Sequence, residues 1–255
     1  MESSDRNYGI LKDIVYEESG INLHEGKLGL LKARLAKRMR VVKVPSVGKY
    51  IELIKKDANE FVNFIDAVST NHTFFLRENH HCEFILKNIN NSGYLKIWSA
   101  ASSSGEEPYS IAIQLFDQGY KFSIFASDIS NTMLTLAKRG IYHKDKLRSV
   151  PLQTIRRYFQ KGCNRWEDHL KVKRRIKDLV SFGRHNLLTD SSPGVFDIIF
   201  CRNVMIYFDE NTKQKVVEKL YNSIESGGHL IIGAAEGLVG LNHSFKYVEP
   251  SIYRK

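Results

Sequence analysis

The sequence predicts an α/β chain in which an open, mainly parallel sheet follows a small helical domain and is interrupted by a small antiparallel β insertion. Three observations carry this. Up to about residue 90, apolar residues recur at helical spacing, with few glycines and no β-branched alternation. From Tyr94 onward, short apolar strands alternate with helical stretches. Between Ile141 and Val180 that rhythm breaks into a strongly basic segment. With 255 residues, 42% of them hydrophobic and 11% aromatic, the chain can bury a core of enzyme size and is too apolar to be disordered.

The elements follow in order. Helices are expected from Tyr8 to Glu18 and from Lys27 to Lys43, and the Pro45-Ser46 break opens another through Tyr50, Leu53 and Ile54. YLKIWSAA, beginning at Tyr94, reads as a strand feeding a helix from Pro108, and FSIFASD as a strand feeding a helix from Ser130 to Arg139. FDIIFCRN (196–203) leads to a helix from Glu210 to Ile224 and then to the strand HLIIGAA (229–235). The closing FKYVEPSIYRK alternates like an antiparallel edge, where Pro250 is tolerated. HLKVKRRI, around Leu170, Val172 and Ile176, reads as short exposed strands. The expected division is a helical domain with its linker over 1–90 and a sheet domain over 91–255, with the insertion at 142–182.

Charge narrows the function classes. Lys and Arg number 38 against 28 Asp and Glu, a net +10. The insertion region alone holds twelve cations against four anions, and residues 27–43 hold seven cations and no carboxylate. On that helix Leu28, Leu31, Leu35, Met39 and Val42 form one apolar stripe and the cations take the rest. A face of one sign forgoes i,i+4 pairing and points to an acidic partner: nucleic acid, an anionic membrane face or a carboxylate-rich protein. No stretch nears ~18 apolar residues, so no membrane insertion is expected. MESSDRNYGI does not read as a secretory leader. Three scattered cysteines, Cys82, Cys163 and Cys201, fit a reducing cytoplasm. His80, His81 and Cys82 would point about 100° apart on a helix, and no metal is expected.

The turn SAASSSGEEPYS, Ser99 to Ser110, is where a ligand can approach the backbone. It ends a strand in small residues and opens a helix with Gly105 in the loop and Pro108 in the first turn. A pyrophosphate would want more glycines and a bare helix dipole. Two carboxylates, Glu106 and Glu107, suit a cationic ligand instead. Asp128 closes the next strand, where an acid can accept from ribose hydroxyls. Loop and acid together indicate a nucleoside cofactor without a phosphate, a form that S-adenosylmethionine has.

The strings STNHTFFLRE (69–78), WSAASSSGEEPYSIAI (98–113), FASDIS (125–130), HNLL (185–188) and FDIIFCRNVMIYFD (196–209) resemble the CheR-type chemotaxis receptor methyltransferases. The likeness runs in order from about residue 10 to the C-terminus. It implies a Rossmann-like class I methyltransferase sheet behind a helical N-terminal domain. It also implies S-adenosylmethionine as cofactor, S-adenosylhomocysteine as its product, and esterification of receptor glutamates. Cofactor contacts implied at matching positions are Asn71, Thr73, Arg77, Glu107, Asp128, Asn186, Leu187, Arg202 and Asn203, and Tyr207 would lie with Arg77 beside the methyl group. GAAE at 233–236 stands where GHSE is usual.

Methylating a carboxylate needs no general base, because glutamate, with a reference pKa of ~4.3, is already ionised. What remains is in-line alignment, with Arg77 and Tyr207 holding the non-attacking oxygen. CRNVMIY lacks the prolines of the base-amine methyltransferase pattern and offers an Arg where an anionic acceptor would want one. The expected partner is therefore the acidic helical methylation region of chemoreceptors, met by helix 27–43 and the insertion 142–182, with no nucleic acid. The expected protein is a cytoplasmic monomer recruited to receptor clusters. Two other functions fit the same residues: an RNA methyltransferase, suggested by net charge, and a non-catalytic S-adenosylmethionine-binding receptor adaptor.

Overall fold

The computed structural model describes residues 2–23, 28–69, 71–90 and 92–255. Four helices come first: α1 (Glu2–Ser19), α2 (Leu28–Val41), α3 (Val47–Lys56) and α4 (Ala58–Val68). Ser46 and Asp57 begin α3 and α4 by accepting backbone N–H groups through their side chains, as N-caps should. Leu31 and Leu35 of the predicted stripe are buried against Leu11, Val15, Tyr50, Phe64 and Ile65, with Leu28, Met39 and Val42 at the margin.

The cations of α2 divide in a way the helical pattern did not foresee. Lys32, Lys37 and Arg40, with Lys43 just beyond, are exposed, and Lys27 lies outside the described residues. Two others turn inward. Arg34 donates through Nη1 to the carbonyls of Val68 and Ser69, at 2.6 and 2.9 Å, closing the end of α4. Arg38 forms a two-pronged ion pair with the buried Glu60, which also accepts from the Tyr50 hydroxyl at 2.6 Å. Removing one member of such a buried pair costs about 3–5 kcal/mol, so Arg38 belongs to the fold.

The helix α5 (His80–Asn88) buries Cys82, Phe84 and Ile85 in the core of the sheet that follows. That sheet is built from β1 (Tyr94–Ala100), α6 (Glu106–Asp117), β2 (Lys121–Asp128) and α7 (Asn131–Arg139). The insertion supplies β3 (Ile141–His143), α8 (Leu152–Tyr158), β4 (Phe159–Lys161), β5 (His169–Val172) and α9 (Arg174–Lys177). The large sheet resumes with β6 (Val180–Arg184) and β7 (Phe196–Cys201), then α10 (Glu210–Asn222), β8 (Ile224–Ile232), β9 (Lys246–Glu249) and β10 (Ile252–Arg254).

Seven strands order as β6-β2-β1-β7-β8-β10-β9, the first five parallel and the last two joined antiparallel. Alternate side chains feed two cores. Ile97, Ile198, Phe200 and Ile231 face one, while Trp98, Ile199, Leu230 and Ile232 face the other, as a sheet covered on both sides requires. From β1 the order runs outward through β2 to β6 in one direction and through β7 to β8 in the other. The switch point therefore lies between the carboxyl ends of β1 and β7, where open α/β sheets bind ligands.

The insertion forms a three-stranded antiparallel sheet, β3-β5-β4. Two features differ from expectation. Residues 180–182 belong to β6 of the large sheet, and Ile176 is a fully buried residue of α9 rather than part of an exposed strand. Short length and polar flanks hid β6 beside the basic run. Many of the insertion's cations are paired: Lys144 with Asp168, Arg148 with Asp145, Arg157 with Asp117, Arg174 with Asp178 and Lys146 with Glu106.

Candidate active site

Among the described residues, five of the eight non-glycine positions with positive φ gather at the switch point: Leu76, Glu78, Ala101, Ser103 and Asn203. Backbone held in this region is strained, and strain of this kind concentrates at functional sites. In the loop after β1, Gly105 adopts φ +93°, and a Cβ there would come within 2.8 Å of Ala137 Cβ. The loop is organised by Asp128. One carboxylate oxygen accepts from Ser103 N–H at 2.7 Å and the other from Ser130 N–H at 2.9 Å. Each oxygen keeps a lone pair, so the side chain can still accept two hydroxyl donors. Burial pushes the Asp128 carboxyl up, and those two N–H groups work against the shift.

The two carboxylates that open α6 point to different places. Glu106 is fully buried away from the cleft, accepting from Ser104 Oγ at 2.6 Å and lying 3.1 Å from Lys146 Nζ. Glu107 alone faces the cleft. It accepts from Ser99 Oγ at 2.7 Å and lies 3.3 Å from Arg202 Nη1. Burial pushes the Glu107 carboxyl up, against the pull of Arg202 and the Ser99 hydroxyl.

Arg202 corrects the expectation that it would face an anionic acceptor. It is 7% exposed, donates to the Arg77 carbonyl at 2.5 Å and sits between Glu107 and Glu78, 3.2 Å from the latter. Its charge is spent inside the wall. Next to it, Asn203 donates its backbone N–H to Glu236 at 2.8 Å and its amide to Glu78 at 3.2 Å. Glu236 also accepts from the N–H groups of Ile206 and Gly233, which fixes the turn carrying Tyr207. In GAAE the glutamate thus does the anchoring, and the two alanines replace only the middle pair.

The irregular segment 71–79 before α5 closes one side. Asn71 and Thr73 are tied through their carbonyls, to Ser103 Oγ at 3.3 Å and Lys146 Nζ at 2.7 Å. Phe75 packs edge-on against Tyr142 and Phe159 of the insertion. Arg77 spends one donor on the His72 carbonyl at 3.0 Å, and its side chain stays 29% exposed with donors to spare. On the opposite side the Asn186 amide donates to the Glu18 carbonyl at 2.6 Å, so its side chain joins α1 to the sheet, while Leu187 offers an apolar surface. Tyr207, on a single turn after β7, accepts from Asn22 N–H through its carbonyl.

Every residue singled out from sequence as a cofactor or catalytic position lines this one cleft, which measures about 1120 Å³ out to its mouth. Glu78 and Glu236, which organise it from behind, were not singled out. Both lie inside quoted motifs, so their positions were visible although their roles were not. His80, His81 and Cys82 diverge: His80 is exposed, His81 is buried, and the thiol of Cys82 reaches the cleft wall. Burial holds that thiol up at about 12 and therefore neutral.

A cationic nucleoside fits these residues. Glu107 offers a carboxylate, Asp128 has acceptor capacity left, and three buried atoms of the lining, Asn79 Oδ1, Ser102 Oγ and His185 Nε2, have no hydrogen-bond partner among the described residues. Comparison with known proteins agrees. Residues 71–254 match the SAM binding domain of CheR methyltransferase, and residues 6–69 match its all-alpha domain. The chain belongs to the CheR methyltransferase family. It is 34% identical over 259 residues to a chemotaxis protein methyltransferase of Escherichia coli (strain K12), covering 98% of this chain and 91% of that one. With a chemotaxis protein methyltransferase of Borreliella burgdorferi it shares 35% identity over 276 residues, covering 98% and 96%. The CheR family is one of S-adenosylmethionine-dependent methyltransferases, and the doubly wound sheet described above is the class I methyltransferase fold. Among the described residues no helix is long and apolar enough to cross a membrane.

Proposed function

We propose that this CheR-family enzyme methylates glutamate side-chain carboxylates of chemotaxis receptors, forming methyl esters. The observation that carries this reading is the pairing, in one cleft, of carboxylates suited to a cationic nucleoside with an arginine and a tyrosine suited to an anionic acceptor. S-adenosylmethionine supplies an activated methyl group on a sulfonium. Glu107 receives the ammonium of that ligand, Asp128 its ribose hydroxyls, and Leu187 its base. Asn71, Thr73, Arg202, Asn203 and Asn186 shape the walls, most of them through backbone atoms or bonds to neighbouring carboxylates. Arg77 and Tyr207 hold the non-attacking oxygen of the acceptor, and the other oxygen attacks without a general base. Alignment of this kind is worth up to ~7–11 kcal/mol.

The enzyme works in the cytoplasm as a monomer, recruited to receptor clusters, and the acidic helical methylation region of the receptor docks on the exposed cations of α2. The insertion offers a second contact through Lys161, Arg165 and Lys171, all exposed. Lys37→Glu with Arg40→Glu should lower receptor methylation about ten-fold at low ionic strength, a loss that fades as salt screens the surface, with no change in melting temperature. Equal rates at every salt concentration would remove α2 from the docking surface. Arg38→Glu, by contrast, should lower the melting temperature first.

Methyl-labelled cofactor and receptor-containing membranes test the reaction itself. The expected label leaves as volatile methanol in alkali. A label that resists alkali would indicate N-methyl or ribose-methyl products, and no incorporation would indicate a receptor adaptor without catalysis.

A further inference from the structure

Glu78 does not line the cleft, yet its carboxylate draws together the segments that do. Oε1 accepts from Asn203 Nδ2 at 3.2 Å and lies 3.7 Å from Arg77 Nε. Oε2 lies 3.2 Å from Arg202 Nη2 and accepts from Ala234 N–H at 3.1 Å, in the turn after β8. Arg202 reaches Glu107 with its other terminal nitrogen, at 3.3 Å. Two cations, Arg77 and Arg202, thus face two anions, Glu78 and Glu107. The neighbouring His81 adds no charge, because burial pushes its imidazole down to about 3. Burial alone would raise the Glu78 carboxyl, but Arg202, the Asn203 amide and the Ala234 N–H bring it below the usual range. Glu78 is therefore an anion throughout the working pH range.

We propose that Glu78 is a positioning residue of the methyl-transfer site: by holding Arg202 against itself it keeps the four-charge cluster neutral and leaves Glu107 able to accept a cationic ligand. The inference rests on the cofactor reading above. Without the Glu78 charge, Arg202 has one anionic partner, moves onto Glu107 and withdraws its acceptor capacity. The cluster then carries a net positive charge toward the ligand. That charge acts more strongly on S-adenosylmethionine, whose sulfonium is cationic, than on S-adenosylhomocysteine, whose thioether is neutral. A role confined to packing would weaken both alike.

Isothermal titration of the full-length protein with each ligand reads the difference. Glu78→Gln keeps the shape of the side chain and removes its charge. It should weaken S-adenosylmethionine by about ten-fold and S-adenosylhomocysteine by about three-fold, within the range of coupled charged networks. Glu78→Asp retains the charge and should preserve the wild-type ratio of the two affinities even if both fall. An unchanged ratio in Glu78→Gln, or a ratio shifted equally in Glu78→Asp, would overturn the inference while leaving the cofactor reading standing. Wild-type protein that bound neither ligand would overturn both.

Discussion

Arg77→Ala should reduce kcat/KM for methyl transfer by about two to three orders of magnitude, the loss typical of removing one preorganised donor from a developing charge. The guanidinium has little structural work. Among the described residues it donates to the His72 carbonyl at 3.0 Å and lies 3.7 Å from Glu78, with its side chain 29% exposed. Melting temperature and S-adenosylhomocysteine affinity should therefore stay near wild type, so that the loss falls on the acceptor side. Arg77→Lys should recover part of the rate, because it keeps the charge and loses the planar fork that grips a carboxylate. Steady-state rates at saturating cofactor make the measurement. Wild-type turnover by Arg77→Ala would remove Arg77 from the reaction.

Glu107→Gln should weaken S-adenosylmethionine binding by about 10–100-fold, the cost of losing a hydrogen bond to a charged group. It should also change the pH dependence. Because burial raises the Glu107 carboxyl despite Arg202 and Ser99, wild-type protein starts to protonate it above the ordinary carboxylate range as pH falls. The neutral acid cannot pair with an ammonium, so cofactor affinity declines on acidification and recovers above that range. Glu78 contributes to the same rise by its negative charge, and Arg77 and Arg202 oppose it. Asp128, raised by burial as well, adds a smaller decline of its own. Direct binding is the readout, because the receptor glutamate titrates too and would blur a rate profile. In Glu107→Gln most of the acid decline should vanish. A decline of wild-type size would assign it to another group.

Much of the sheet was legible because both of its faces are buried, and strands such as FDIIFCRN then read as nearly continuous apolar runs. The short β6 was lost because Val180–Arg184 follows a basic run and carries only two strongly apolar side chains. The cleft was legible through motifs at the carboxyl ends of β1, β2 and β7, the ends that a doubly wound sheet must bring together. What sequence spacing could not supply was the direction of individual side chains. Glu106 and Glu107 are adjacent, yet one meets Lys146 of the insertion and the other Arg202 after β7. Arg38 looked like part of a docking face because its partner, Glu60, lies on another helix. Glu78 and Arg202 meet across 124 positions of chain, so each showed its charge and neither showed its counter-ion. The same holds for Glu236, whose carboxylate is recognisable as an anchor only once Asn203 and Ile206 are folded against it.

The proposed reaction has the cleft between β1 and β7 deliver a methyl group to a glutamate carboxylate. Peptide mapping by tandem mass spectrometry tests it most directly, after wild-type protein and its Arg77→Ala variant have each been incubated with receptor membranes and S-adenosylmethionine. The expected result is one added methyl on glutamate side chains of the receptor's cytoplasmic helices with wild type and almost none with the variant. Methyl groups found only on amine or nucleotide positions, or glutamate esters formed equally by both proteins, would contradict it.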